Sequence, residues 1–220
     1  MKFQLNLVYV VNLTGKTISD IISPINPVTK RRGFNTALKM KKRNSGDLMK
    51  KEKIGLRFYK KVLEGFLNLL KGEFYDNLVS LVLYGSVARR EGGTLSDIDL
   101  LLILENRHPN YHRCLDQVLD VVDRLKKLKI YGKIREQIGQ EPFFSFLILS
   151  RKEAEENRYI FLDMVDDAKI LYDKKDFFAG RLKQIKKRIN DLGSQKITLE
   201  DGSWYWDLKP DLKIGDAFTL

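Results

Sequence analysis

Cysteine occurs once in the 220 residues, at Cys114, so the chain cannot form an internal disulfide, and a small buried hydrophobe is the reading for that residue. Histidine occurs twice. His108 and His112 stand four apart, a spacing that can share a metal, but no further ligand pattern accompanies them. Long apolar runs are also missing. Leu5 to Val11 is too short to span a bilayer and Asn6 interrupts it, and no small-residue cleavage site follows. A membrane protein and a secreted disulfide scaffold are thereby disfavoured, and cytoplasmic residence is the expectation.

Acidic charge is scarce in one stretch only. The net charge is +11, and residues 30–61 hold thirteen Lys and Arg against Asp47 and Glu52, which accounts for all of it. The remainder, with 27 residues of each sign, is neutral. The basicity is local, so residues 1–50 read as a basic, flexible extension: a solvated tail, or an arm that binds nucleic acid through its phosphates. Met49 opens a clean amphipathic pattern, which makes it (or Met40) a candidate natural start.

What is present centres on residues 81–104. Leu81 to Tyr84 reads as a buried strand, Gly85-Ser86 breaks it, and Ile98 to Leu104 reads as a second buried strand. Asp97 and Asp99 stand at the mouth of that second strand. Residues i and i+2 of a strand share a face, about 6.6 Å apart, so both carboxylates point one way while Ile98 points into the core. A hard divalent cation removes their repulsion and the cost of their desolvation, and Mg²⁺ is typically held by one or two carboxylates plus substrate phosphates. A strand that ends in Gly-Ser and enters a helix offers free backbone N–H groups to an anion. A cation site beside a phosphate cradle is the arrangement that phosphoryl or nucleotidyl transfer requires.

Gly85-Ser86-Val87-Ala88-Arg89, followed by Ser96-Asp97-Ile98-Asp99-Leu100, resembles the signature of the DNA polymerase β superfamily of nucleotidyltransferases, in particular the minimal nucleotidyltransferases of prokaryotes. Arg90 stands where that pattern usually has glycine. The resemblance implies an α/β fold, a small mixed sheet with helices packed on one side. It implies transfer of a nucleoside monophosphate from an NTP, ATP by expectation, to a hydroxyl acceptor. Asp97 and Asp99 would hold Mg²⁺ (or Mn²⁺), Gly85 and Ser86 would cradle phosphates, and Arg89 would face the leaving pyrophosphate. A helical HEPN-type protein is the implied partner. The alternative is a catalytically weak, nucleotide-binding antitoxin for such a toxin.

The superfamily usually carries a third carboxylate on the next strand, read here as Pro142 to Leu149. None lies between Pro142 and Lys152. Glu141 is the nearest acid and the catalytic candidate; otherwise Ser145 occupies the slot.

Helices are expected over 52–71 and 106–129, with a loop opening at Gly132. Another helix begins at Ser150, whose Ser-x-x-Glu pattern with Glu153 is a capping box. A strand over 168–172 and a basic helix over 177–192 follow, then a hairpin about Asp201-Gly202. Trp204-Tyr205-Trp206 on its second strand is either cross-hairpin packing or a stacking surface. The organisation so read is a basic extension over 1–50, a nucleotidyltransferase domain over 51–150 and a C-terminal helix and hairpin module over 151–220.

Overall fold

The computed structural model describes residues 53–200 and 204–213. Residues 1–50, read as a basic extension, and the Asp201-Gly202 turn lie outside the described residues. Those described fall into two units, one within Lys51–Gly193 and one within Ser194–Gly215.

Helix α1 runs Leu56–Phe74, and Tyr59, Val62, Leu63, Phe66, Leu70 and Phe74 form its buried stripe. The 3.6-residue period places these side chains on one face. Strand β1, Leu78–Tyr84, is buried along nearly its whole length, as is β2, Ile98–Leu104. Between them lies α2, Gly85–Ala88. Helices α3 (Tyr111–Lys126) and α4 (Lys129–Ile138) lead to β3, Phe144–Ser150. Two short helices, α5 (Arg151–Glu155) and α6 (Ile160–Asp167), precede β4, Lys169–Asp173. Helix α7, Phe177–Asp191, closes the unit.

The sheet has the order β3-β2-β1-β4. β1 pairs antiparallel with both β2 and β4, whereas β2 and β3 are parallel, joined by the α3–α4 crossover. The sheet is therefore mixed. Its fourth strand comes from 169–173, inside the stretch that the sequence reading set apart as a C-terminal module.

Helices cover both faces of the sheet, which corrects the one-sided expectation. Leu81, Leu83, Leu100, Leu102 and Leu104 join the core made with α1, α3 and α4. Phe66 of α1 sits 5.8 Å, ring to ring, from both Phe144 and Phe146 of β3. The alternate residues Val82, Leu101 and Ile103 are equally buried, and Phe161 and Phe178 of α6 and α7 pack ring against ring at 5.3 Å. Near-continuous apolar strands are the mark of a sheet buried on both sides.

Two connections differ from the sequence reading. Gly132, expected to open a loop, lies inside α4, because Tyr131 and Ile134 on either side of it are buried and outweigh the roughly 1 kcal/mol cost of a helical glycine. The helix expected from Ser150 stops after one turn, at Glu155, and resumes as α6. Its capping box is present: the Glu153 N–H donates to Ser150 Oγ, and the Ser150 N–H donates to Glu153 Oε2 at 2.7 Å. His108 Nδ1 accepts the Asn110 N–H at 3.0 Å, and Cys114 is a buried free thiol.

In the second unit, β5 (Gln195–Thr198) and β6 (Trp204–Asp207) pair antiparallel. The ammonium of Lys196 lies 4.5 Å from the Trp204 ring centre. Among the described residues no helix is long and apolar enough to cross a membrane.

Candidate active site

Register brings the two halves of the signature together. Tyr84, the last residue of β1, stands opposite Asp99, and Gly85 follows it into α2. Gly85 has φ +73°, a conformation that favours glycine. Its α-carbon faces the Asp99 side chain so closely that an added Cβ would fall on Asp99 Oδ2 and lie 3.0 Å from Cγ. Glycine is required here on both counts. No side chain caps the start of α2, which leaves its first amides without that partner.

Asp97 is exposed and Asp99 half-buried. Burial first, and the Asp97 charge second, push the Asp99 carboxyl above its usual range, while a hydrogen bond from Ser145 and the Arg89 charge oppose the rise. The i and i+2 aspartates are thus electrostatically coupled. Ser145 lies beside Asp99 in the parallel β2–β3 register. It stands where the resemblance places a third carboxylate. Arg89, at the end of α2, donates from Nε to Glu91 Oε2 at 2.8 Å. The approach to Asp97 is held by a small turn, in which the Gly93 N–H donates to Ser96 Oγ and the Ser96 N–H donates to Gly93 O.

Glu141 is exposed and its carboxylate is held by two side chains. Tyr131 Oη donates to Oε2 at 2.6 Å and Arg135 to Oε1 at 3.2 Å. These bonds, Tyr131's first, hold its pKa below the usual range. Both partners lie on α4, the helix that sequence reasoning read as a loop. The structure gathers Gly85, Arg89, Asp97, Asp99 and Ser145, and it pairs the Glu141 carboxylate with Tyr131 and Arg135.

Sequence reasoning missed Tyr84, whose phenol is pushed up to about 12 by burial and then by the Asp99 charge. Its only signal was its place before Gly85. The described residues hold no cluster of three or more metal-ligating side chains. The donor set that is present, two repelling carboxylates with one desolvated, fits a cation that completes its shell with substrate phosphates and water.

The sequence profile described as a nucleotidyltransferase domain matches residues 60–216. A protein of Methanocaldococcus jannaschii that carries the name of a protein adenylyltransferase is 33% identical over 138 residues, which cover 60% of this chain and 85% of that one. A solved toxin–antitoxin structure with AMP-PNP has a TM-score of 0.35 at 14% identity, covering 58% of this chain and 89% of its own. A MntA–HepT toxin–antitoxin structure has a TM-score of 0.33 at 12% identity, covering 60% and 90%.

Proposed function

The chain belongs to the nucleotidyltransferase-domain family and is an enzyme, and from that premise we propose that it transfers AMP from ATP to a hydroxyl of a protein acceptor. The observation that carries the reading is the seating of the Asp99 carboxylate against the Gly85 α-carbon, with Asp97 beside it. It sets two acidic oxygens next to the open amides of α2, so the cation-binding and phosphate-binding halves share one corner. The protein acceptor rests on the name of the 33%-identical relative.

In the reaction the acceptor hydroxyl gives its proton to water, its oxygen bonds the α-phosphorus, the bond from that phosphorus to the bridging oxygen breaks, and pyrophosphate leaves. Gly85 and Ser86 cradle phosphate oxygens through backbone N–H groups. Arg89 places positive charge at the end of α2, where the leaving group gains negative charge. Asp97 and Asp99 would hold Mg²⁺ or Mn²⁺. When bound, that cation neutralises charge between carboxylates and phosphates. Catalysis is then mostly positioning and electrostatics. Ser145 orients Asp99 rather than supplying a third charge. We place the protein in the cytoplasm, where ATP is available.

The test is incubation of the full chain with labelled ATP, Mg²⁺ and candidate acceptors, a helical HEPN-type protein among them, followed by mass spectrometry. Addition of one AMP to a hydroxyl side chain of the acceptor is the expected result. Label that appears only on a small molecule or an RNA end would overturn the protein acceptor. A second reading, a weakly active nucleotide-binding partner of a HEPN-type toxin, draws on the commitment of Glu141 to Tyr131 and Arg135. Tight ATP binding without measurable transfer would favour it.

A further inference from the structure

A cavity of about 520 Å³ opens beside α2, lined by Lys53, Arg57, Lys60, Arg90 and Lys169 together with Gly55, Leu56 and Ala88. Five of its eight lining residues are cationic and none is acidic. Lys60 makes only a long, exposed contact of 3.9 Å with Glu64, and among the described residues no ion pair involves Lys53, Arg57, Arg90 or Lys169. Lys53, Arg57, Lys60 and Arg90 are exposed, so their charges stand around the mouth of the cavity, where a multivalent anion would offset their mutual repulsion.

Two backbone features point into the same space. Arg90 has φ +63°, in the left-handed region that a non-glycine residue adopts only under strain. Its side chain packs directly over Gly55, where an added Cβ would meet Arg90 Cγ at 3.0 Å. The bare glycine leaves room for the arginine that the backbone strains to present. Gly55 is also the N-cap of the 19-residue α1, which has no side-chain cap and no acidic residue in its first turn. The positive end of that helix therefore adds to the cations.

The cavity lies on the other flank of β1 from the aspartates. Lys169 pairs with Leu83 on the β4 side, whereas Asp99 pairs with Tyr84 on the β2 side. Helix α2 begins against Asp99 and ends at Ala88, in the cavity wall.

We propose that this cavity is a second anion site, separate from the nucleotide-transfer site, which takes closely spaced phosphate groups. Two guanidinium forks suit bidentate contact with phosphate, and the lysines supply further point charges. Such groups come either as a free oligophosphate or as a phosphodiester backbone. In sequence, Lys53, Arg57 and Lys60 end the basic stretch 30–61.

Calorimetry on the full chain, in EDTA and low salt, with inorganic tripolyphosphate as probe, tests the site. EDTA removes divalent cations, and with them phosphate binding that depends on the aspartates. Wild type and the Asp97→Asn/Asp99→Asn double variant should bind alike, with affinity falling as salt rises. Arg90→Gly, which suits the local φ and should keep its melting temperature, and Lys169→Gln should each bind about tenfold more weakly, the loss of one charge-assisted contact. A short single-stranded RNA serves as the second probe: binding with the same sensitivity to Arg90→Gly assigns the site to a backbone, and no binding assigns it to free oligophosphate. Tripolyphosphate binding unchanged in both cation variants, binding lost in the aspartate variant, or a poly-glutamate peptide bound as tightly would each overturn the proposal.

Discussion

The carboxylate of Asp99 rests against the α-carbon of Gly85, closely enough that no side chain fits at position 85 while Asp99 keeps its place. One contact thus ties the end of β1 to the start of β2 and fixes an acidic group beside the amides of α2.

Gly85→Ala is accordingly expected to damage both fold and function. The φ of +73° penalises alanine by about 1 kcal/mol, and the displaced Asp99 adds to that. A melting temperature lower by roughly 2–8 °C, from about 1–2 kcal/mol in a chain of this size, should accompany nucleotide transfer reduced by at least about 10²-fold. Transfer at the wild-type rate would show that the corner is not the site.

Removing either aspartate charge should separate chemistry from folding. Asp97→Asn lies at an exposed position and relieves repulsion on Asp99, so the melting temperature should hold or rise while Mg²⁺-dependent ATP binding falls. Asp99→Asn should lose transfer by about 10²–10³-fold, the scale of a lost electrostatic contact in a preorganised site. Calorimetric titration of MgATP into each variant is the measurement. Wild-type affinity in both would remove the aspartates from the site.

Glu141→Gln should leave turnover within about threefold of wild type, far short of the 10²–10⁴-fold that general acid–base catalysis contributes. The reason is geometric: Tyr131 and Arg135 occupy the carboxylate. A fall in kcat of a hundredfold would return Glu141 to the mechanism.

An acid-sensitive strut lies at the far end of β3. Glu153 accepts from Arg107 Nε at 3.0 Å and Nη2 at 2.7 Å while closing the capping box of α5. The Arg107 bonds foremost bring its pKa from 4.5 down to about 2. A carboxyl depressed in the folded state stabilises the protein above the unfolded pKa and loses that contribution as pH falls through the folded one. Stability should therefore decline between about pH 4.5 and 2, by about 1–2 kcal/mol once the partial exposure of both groups is discounted. Thermal melts of Glu153→Gln should be lower than wild type at pH 7 and flatter across that window; parallel curves would refute the assignment.

Much of this was legible in the residues themselves. Ile98–Leu104 could be read with both its ends, because an apolar run broken only by Asp99 and bounded by Asp97 and Glu105 leaves little choice. The Ser150–Glu153 capping box is local chemistry, and local chemistry survives in sequence. Helix α4 was hidden because Gly132 interrupts its pattern, while burial of Tyr131 and Ile134 is settled only by distant partners. The fate of Glu141 was hidden for the same reason, since both residues that hold it lie on α4. The cover on the second face of the sheet was likewise illegible, because an all-apolar strand does not say which of its sides meets a helix first.

Asp173 ends the described fold's outermost pairing with three bonds at one carboxylate. Ser80 Oγ, from the middle of β1 and fully buried, donates to Oδ1 at 2.6 Å, and the N–H groups of Phe178 and Ala179 donate at 3.0 and 2.9 Å. An edge strand is ordinarily the first part of a sheet to fray. Here fraying would strip the first turn of α7 of its acceptor and strand a hydroxyl in the interior, so strand and helix open together or not at all. In hydrogen exchange, the amides of β4 and of the first turn of α7 should share one opening free energy; separate values would break the coupling. Lys169, in the cavity wall, begins the same strand and pairs with Leu83 at its other end, beyond a shift in register.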